Sequence, residues 1–404
     1  MKVEIGFDLA PNGVGNWFTL DDPTKGKLDD TTYKLSGEVL VDVTDRVRSV
    51  SVKRGRSRTL DKFTAGVASV VIDNRDRAFD PLYASSPYYG SIVPRKMVRI
   101  SRDAYPMFTG NIEDYSWDYD ISNDSTATAQ AVDGFATLSQ TTLTAGTATS
   151  QATGARVAAV LTALGWPAAP RAISTGGATL AADVRTGDEN GLAYLQTVAD
   201  VSEPGAFFMS KEGAATFRDR YDLQNYTTGG LVFGTGGVPF TGYQAASVTE
   251  EMLNSVAVTW SAGTAVGGTV VASNATSQAA YGVFEATYDT LLNDSAQAQT
   301  LADWLVSTYK DPQYRVDSIT VSLDGVTPAQ VGQVLDLECG DVVQVAWTPN
   351  AIGSAISQYV SIDAIDHAAS PARHDVSFTL SQAAAAFILD SAIFGVLDTS
   401  TLGF

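Results

Sequence analysis

Three arginines at two-residue spacing, Arg54, Arg56 and Arg58, are the densest chemistry in the sequence. In an extended segment, side chains two apart share a face. The three guanidiniums are therefore expected to form one cationic ridge, with Gly55 and Ser57 keeping the opposite face small. A guanidinium fork suits bidentate pairing with carboxylates, so the ridge reads as an interface element rather than a nucleic-acid contact. Arg75, in the polar turn Asp73-Asn74-Arg75-Asp76, is grouped with it as an interface residue.

Catalytic signals are poor. The sequence has no Gly-x-Ser-x-Gly elbow, no Gly-x-x-x-x-Gly-Lys phosphate loop and no His-Glu-x-x-His. Glu250 with Glu251, or Asp363 with Asp366, is a carboxylate pair of the kind glycosidases use, but among 45 acids such pairs arise by chance. His367 and His374 flank a turn containing Pro371 and read as loop or strand-edge polarity. Asp73, Asn74, Asp76 and Asp80 offer oxygens to a hard cation, yet Arg75 and Arg77 sit among them and the EF-hand glycine and terminal glutamate are missing. One cysteine, Cys339, and two histidines cannot make an internal disulfide or a Cys/His zinc site. The expectation is no enzyme, no cofactor and no metal.

The elements that must position the arginines are mostly strands. Lys2–Phe7, Gly37–Val43, Val47–Lys53, Phe63–Asp73, Met97–Ser101, Met107–Tyr115 and Ala127–Ala131 alternate or are β-branched, and Gly, Pro, Asn and Asp separate them. Phe63–Ile72 carries apolar residues on both parities, as in a strand covered on both sides. After Thr142 the pattern becomes helical. Thr153 is placed to cap a helix through Val157, Val160, Leu161 and Leu164, and a second helix is expected over Glu189–Asp200. A hairpin follows, Ala206–Met209 and Ala215–Arg218 around Lys211-Glu212-Gly213. Thr227–Gly242 reads as a connection. Beyond it lie a strand at Val256–Trp260, a helix over Asp294–Tyr309, and strands at Ser318–Leu323, Val342–Trp347, Tyr359–Ile365 and His374–Leu380.

The predicted fold class is thus mainly β with an α+β insertion, in which two β-barrel or sandwich domains flank a small α+β domain. The boundaries are 1–141 for the first β-domain, 142–226 for the α+β domain, 243–385 for the second barrel with one helix, and 386–404 for a C-terminal docking tail. A chain of 404 residues exceeds what one core usually serves. Charge is uneven: residues 1–220 hold 23 Lys+Arg against 27 Asp+Glu, and residues 221–404 hold 3 against 18. Such a surface repels phosphate backbones, so no sequence-specific nucleic-acid binding is expected. The first residues lack a signal-peptide core and no segment approaches the ~20 apolar residues of a membrane helix, which predicts a chain made and kept in the cytoplasm until something releases it.

The order RGRSR, LD.F.AG.A.V..DNRDR.FDP, SPY.G...P...VRI and.FTGNIED, running from Arg54 through Tyr88, Pro94, Arg99 and Phe108 to Asp114, resembles minor tail proteins of siphophages that infect actinobacteria. The resemblance implies a structural virion protein related to the baseplate hub, two related barrels in one chain, and a homotrimeric ring around the tail channel with a hexamer as the other stoichiometry. It implies distal tail and tape measure proteins as partners and DNA passing through. The alternatives are the hexameric distal tail protein itself, and a carbohydrate-binding receptor-recognition protein of the tail. For the latter, Tyr88, Tyr89, Trp117 and Tyr119 are the suggestive aromatics.

The C-terminus carries a period of eight, Ile388 to Gly395 followed by Val396 to Gly403 and closed by Phe404. Phe387, Leu389, Phe394, Leu397 and Phe404 are large apolar residues in a segment too short for its own core. Such a segment is expected to dock on a partner groove.

Overall fold

The computed structural model describes residues 1–7, 23, 39–224, 230–249 and 251–383. Its architecture is mainly β with α+β insertions, as expected. The N-terminal strands are β1 (Lys2–Phe7), β2 (Val39–Asp42), β3 (Val47–Gly55), β4 (Thr64–Asp73), β5 (Met97–Arg102), β6 (Tyr105–Asp118) and β7 (Thr126–Val132). They form an antiparallel run in the order β3-β4-β7-β6-β5-β1-β2. This sheet does not stop at β3. It continues through Ile356–Ser370, Arg373–Gln382 and Gln313–Ser322 to Gly242–Val248, so the N-terminal strands and the strands of residues 242–382 share one hydrogen-bonded surface.

The strand Ile356–Ser370 makes this continuity possible. Along one edge it pairs with Arg373–Gln382. Along the other, residues 356–361 bond to Val342–Trp347 while residues 364–369 bond to β3. A register irregularity between Ile362 and Ala364 leaves Asp363 at the point where the strand changes partner. Bulges of this kind bend a strand and re-aim a side chain.

The segment 243–385, expected as one barrel, feeds two sheets. Ser255–Ala262 lies between Ala265–Ser273 and Glu285–Asp289 in a separate three-stranded sheet. The helix Ser295–Tyr309 packs on it through Ala298, Leu301, Ala302 and Leu305, forming a second core with Val256 and Val258. Asp294 caps this helix by accepting from Gln297 N at 2.9 Å. Within Thr227–Gly242, read as a connection, Val232–Gly234 is a strand parallel to Val342–Trp347.

The α+β part contains the expected hairpin, with Phe207 opposite Phe217 and Met209 opposite Ala215. Its helix Thr153–Ala163 starts at Thr153, whose hydroxyl bonds the carbonyl of Ala178 and caps nothing. The helix expected over Glu189–Asp200 begins at Gly191, as Gly191–Gln196, and Asn190 caps it by accepting from the N–H of Ala193. The helix Pro328–Asp336 was not expected. Its signal was present in Thr327-Pro328 with Gln330, a capping box with proline at the first turn. In β4, Ala68, Val70 and Ile72 are buried while Val67 is 45% exposed, so the strand is covered on one face only.

Candidate functional site

Arg54 does not project from a surface ridge. On β3 it continues the buried parity of Val50 and Val52, and the residue is 3% exposed. Its Nη1 donates to Glu338 Oε1 at 2.7 Å. The same Oε1 accepts from Cys339 N at 2.9 Å, and Oε2 accepts from Lys211 N at 2.9 Å. Lys211 extends its ammonium to the carbonyls of Leu335 at 3.0 Å and Asp336 at 2.6 Å, ending the helix Pro328–Asp336. Three stretches far apart in sequence, β3, the turn of the 206–218 hairpin and the loop after residue 336, thus close on one carboxylate.

The electrostatics follow from that closure. Burial opposes ionisation of Glu338, but Arg54 and the N–H groups of Lys211 and Cys339 outweigh it and hold its pKa below the ordinary carboxylate value. Burial likewise opposes the charge on Arg54, and Glu338 more than restores it. The neighbouring Cys339 thiol is pushed up to about 12, mainly by burial and then by the Glu338 charge. Asp133 lies beside the junction, bonded by the N–H groups of Gly66 and Phe135, and burial raises it to about 6.

Arg56 takes a different direction because Gly55, at φ +123°, ends the strand alternation. Its Nε donates to Asp363 Oδ1 at 2.9 Å, with both side chains largely buried, and its guanidinium lies 4.8 Å from the centre of the Phe63 ring. Thr59 Oγ1 donates to the other carboxylate oxygen at 3.3 Å. Arg58 is partly exposed in the following loop, where its carbonyl accepts from Asp61 N. The expected ridge is therefore split into two internal ion pairs and one loop arginine. The sequence signal was parity: Val50 and Val52 place Arg54 inward. Arg75 is a surface residue that folds back on Asp73.

Further pairs cross between the two halves of the chain. Arg218 bonds Asp341 at 2.7 Å, and Arg102 reaches Asp324 at 3.4 Å. Part of the charge asymmetry in the sequence is thus complementarity within the chain.

The histidines are not loop polarity. Both are buried, and His367 Nδ1 lies 3.2 Å from His374 Nε2 across the hairpin. Arg102 can only donate, so His374 Nδ1, 2.9 Å away, accepts. The proton of His374 then sits on Nε2 and is donated to His367. The oxygens of the Asp73 turn are already engaged: Asn74 Oδ1 accepts from Phe79 N, Asp76 pairs with Arg46, and Asp80 pairs with Arg77. Of the other carboxylate pairs, Asp363 is bound to Arg56 and Glu251 to Arg315; Glu250 lies outside the described residues. Of the suggested aromatic platform, Tyr88 stacks on Phe7 at 4.4 Å and Trp117 bonds the carbonyl of Phe79, leaving Tyr89 and Tyr119 exposed. Phe387, Leu389, Phe394, Leu397 and Phe404 also lie outside the described residues.

Comparisons with protein-family models and with curated proteins find no match. Among solved structures, the 43 kDa tail protein of prophage MuSo2 from Shewanella oneidensis is similar at TM-score 0.55 and 12% identity, over 95% of this chain and 98% of that one. The tail protein from Neisseria meningitidis MC58 is similar at TM-score 0.58 and 11% identity, over 85% of this chain and 93% of that one. The chain has a phage tail-protein fold. At this identity the likeness is one of fold, and it runs nearly end to end in both directions. No helix among the described residues is long and apolar enough to cross a membrane.

Proposed function

We propose that this tail-fold chain is a structural component of a siphophage tail tip, related to the baseplate hub, which assembles as a homotrimeric ring around the tail channel. In that ring it organises the attachment of distal tail and tape measure proteins and lets DNA pass, with no catalysis and no cofactor. The observation that carries the reading is the fold likeness to the Shewanella and Neisseria tail proteins over almost the whole of each chain. The order of residues from Arg54 to Asp114 supports the hub-like and actinobacterial side of it.

The internal construction suits that role. A ring component must hold its parts in fixed relation, and here one sheet joins the N-terminal strands to those of residues 242–382 while the Glu338 junction ties the middle part to them. The net charge of −19 suits a channel wall along which a duplex slides without sticking. The division into 1–141, 142–226, 243–385 and 386–404 belongs to the same proposal.

Native mass spectrometry of the purified chain, together with the symmetry of tail particles that contain it, tests the reading. Three copies at the tip are expected. Six copies in a ring above the tip would make it the distal tail protein, and absence from purified tails would remove the structural role altogether.

A further inference from the structure

Beside the Arg56 loop lies a cleft of about 420 Å3, within the ~300–1,000 Å3 range of natural ligand pockets. Leu60, Tyr288 and Trp304 line it; they pack against the second core and are only partly buried, so each gives the cleft apolar surface. Charge does not select the occupant. Arg56, Lys62 and Arg220 face Asp61, Asp200 and Asp289 in the lining, three of each sign, and Arg56 is already paired with Asp363. A charged ligand would meet its own sign as well as the opposite one.

Hydrogen bonding does select it. Ser381, a lining residue only 2% exposed, has an Oγ with no partner among the described residues. Asp200 accepts from Phe207 N through Oδ1 at 2.9 Å, and its Oδ2 is likewise shielded from water and unpaired. Unpaired buried polar atoms are costly. A hydroxyl relieves both, because it can donate to the carboxylate and either donate to or accept from the serine. Thr287, Ser361 and Gln382 add polar groups to the same walls. The occupant that matches carries several hydroxyls, no net charge and an apolar face for Tyr288 and Trp304. A sugar ring has all three, with C–H bonds on its faces and hydroxyls around its rim. The cleft has the space of about fourteen waters at ~30 Å3 each, ample for one such ring.

We propose that this cleft binds a neutral sugar, whose ring lies against Trp304 and Tyr288 and whose hydroxyls bond Asp200 and Ser381. Its walls come from the loop after β3, the stretch 197–205, the second core and the main sheet. An occupied cleft therefore ties these parts together, and the ligand stabilises the folded chain by mass action.

Ligand-observed NMR on the full chain tests this, with methyl glycosides of glucose, galactose, mannose, arabinose and N-acetylglucosamine titrated separately. At least one is expected to bind saturably, with a dissociation constant on the order of millimolar for a single ring. Thr287 is exposed on the strand Glu285–Asp289 and lines the cleft, so Thr287→Trp obstructs the site without removing a core side chain. That variant is expected to melt like the parent and to bind at least tenfold more weakly, and Trp304→Ala is expected to lose binding to the same degree. No saturable binding by any glycoside overturns the proposal, as does binding that survives unchanged in Thr287→Trp or in Trp304→Ala. Binding of free L-leucine or L-tyrosine and of no glycoside would assign the cleft to a zwitterion and overturns it equally.

Discussion

Gly55 and Asp363 approach so closely that a Cβ on Gly55 would lie 2.2 Å from the Asp363 carbonyl oxygen and 2.5 Å from Ala364 Cα. This contact sits where the long strand exchanges one partner for another, and where Arg56 turns to meet the Asp363 carboxylate. One glycine therefore serves the sheet junction and the ion pair together.

Gly55→Ala is expected to be severe. The backbone at φ +123° is strained for any L side chain, costing about 1–3 kcal/mol, and the obstructing atoms are backbone that cannot swing aside. A stability loss of about 3 kcal/mol or more in urea unfolding is the expected result. A loss below about 1 kcal/mol would mean that the two strands separate easily there.

Glu338→Ala should cost about 3–5 kcal/mol, because it leaves the Arg54 guanidinium buried without its carboxylate and removes the acceptor of two buried N–H groups. Arg54→Met alone and Glu338→Met alone should each destabilise as well. Combining Arg54→Met with Glu338→Met should recover part of the loss, since an apolar pair of similar volume carries no stranded charge. Additive losses in this double-mutant cycle would show that Arg54 and Glu338 are not coupled.

Most strands were legible in the sequence, and the reason is local. Met97–Arg102, Thr126–Val132 and the 206–218 hairpin each carry their pattern within a few residues, and the turn chemistry marks their ends. What joins them was not legible. The pairing of β3 with residues 364–369 links positions some three hundred apart, and nothing in either segment names the other. The arginines show the same limit in miniature. Two-residue spacing placed Arg54 and Arg56 on one face, but that rule fails at a glycine with positive φ. Parity with Val50 and Val52 was the better guide.

The three arginines and Arg75 should therefore respond differently to charge reversal. Arg56→Glu would face Asp363 in a buried site and is expected to lower the melting temperature by several degrees, on the order of 2–4 kcal/mol. Arg75→Glu, on an exposed turn, should stay within about 0.5 kcal/mol of the parent. Equal effects at the two positions, read by thermal unfolding, would contradict the burial of Arg56.

The dependence of stability on pH should carry two opposing slopes. Burial raises Asp200 to about 7 and Asp133 to about 6, so between about pH 4 and pH 7 the folded chain holds protons that the unfolded chain has lost. Stability from these carboxyls is full below about pH 4 and is lost as the pH rises through their folded values. The histidines act in the other direction. Burial, then the Arg102 charge, lowers His374 to about 4, and burial, then His374, Arg54 and Lys211, lowers His367 well below its ordinary value. The unfolded chain takes up these protons first, so their stability is full above about pH 6.5 and is lost as the pH falls towards 4. Two variants separate the slopes. Asp200→Asn should gain stability relative to the parent as the pH rises from 4 to 7, whereas His374→Gln should lose less than the parent as the pH falls from 6.5 to 4. Urea midpoints at half-unit pH steps read both differences, and parallel curves for parent and variants would show that these groups do not set the acid response.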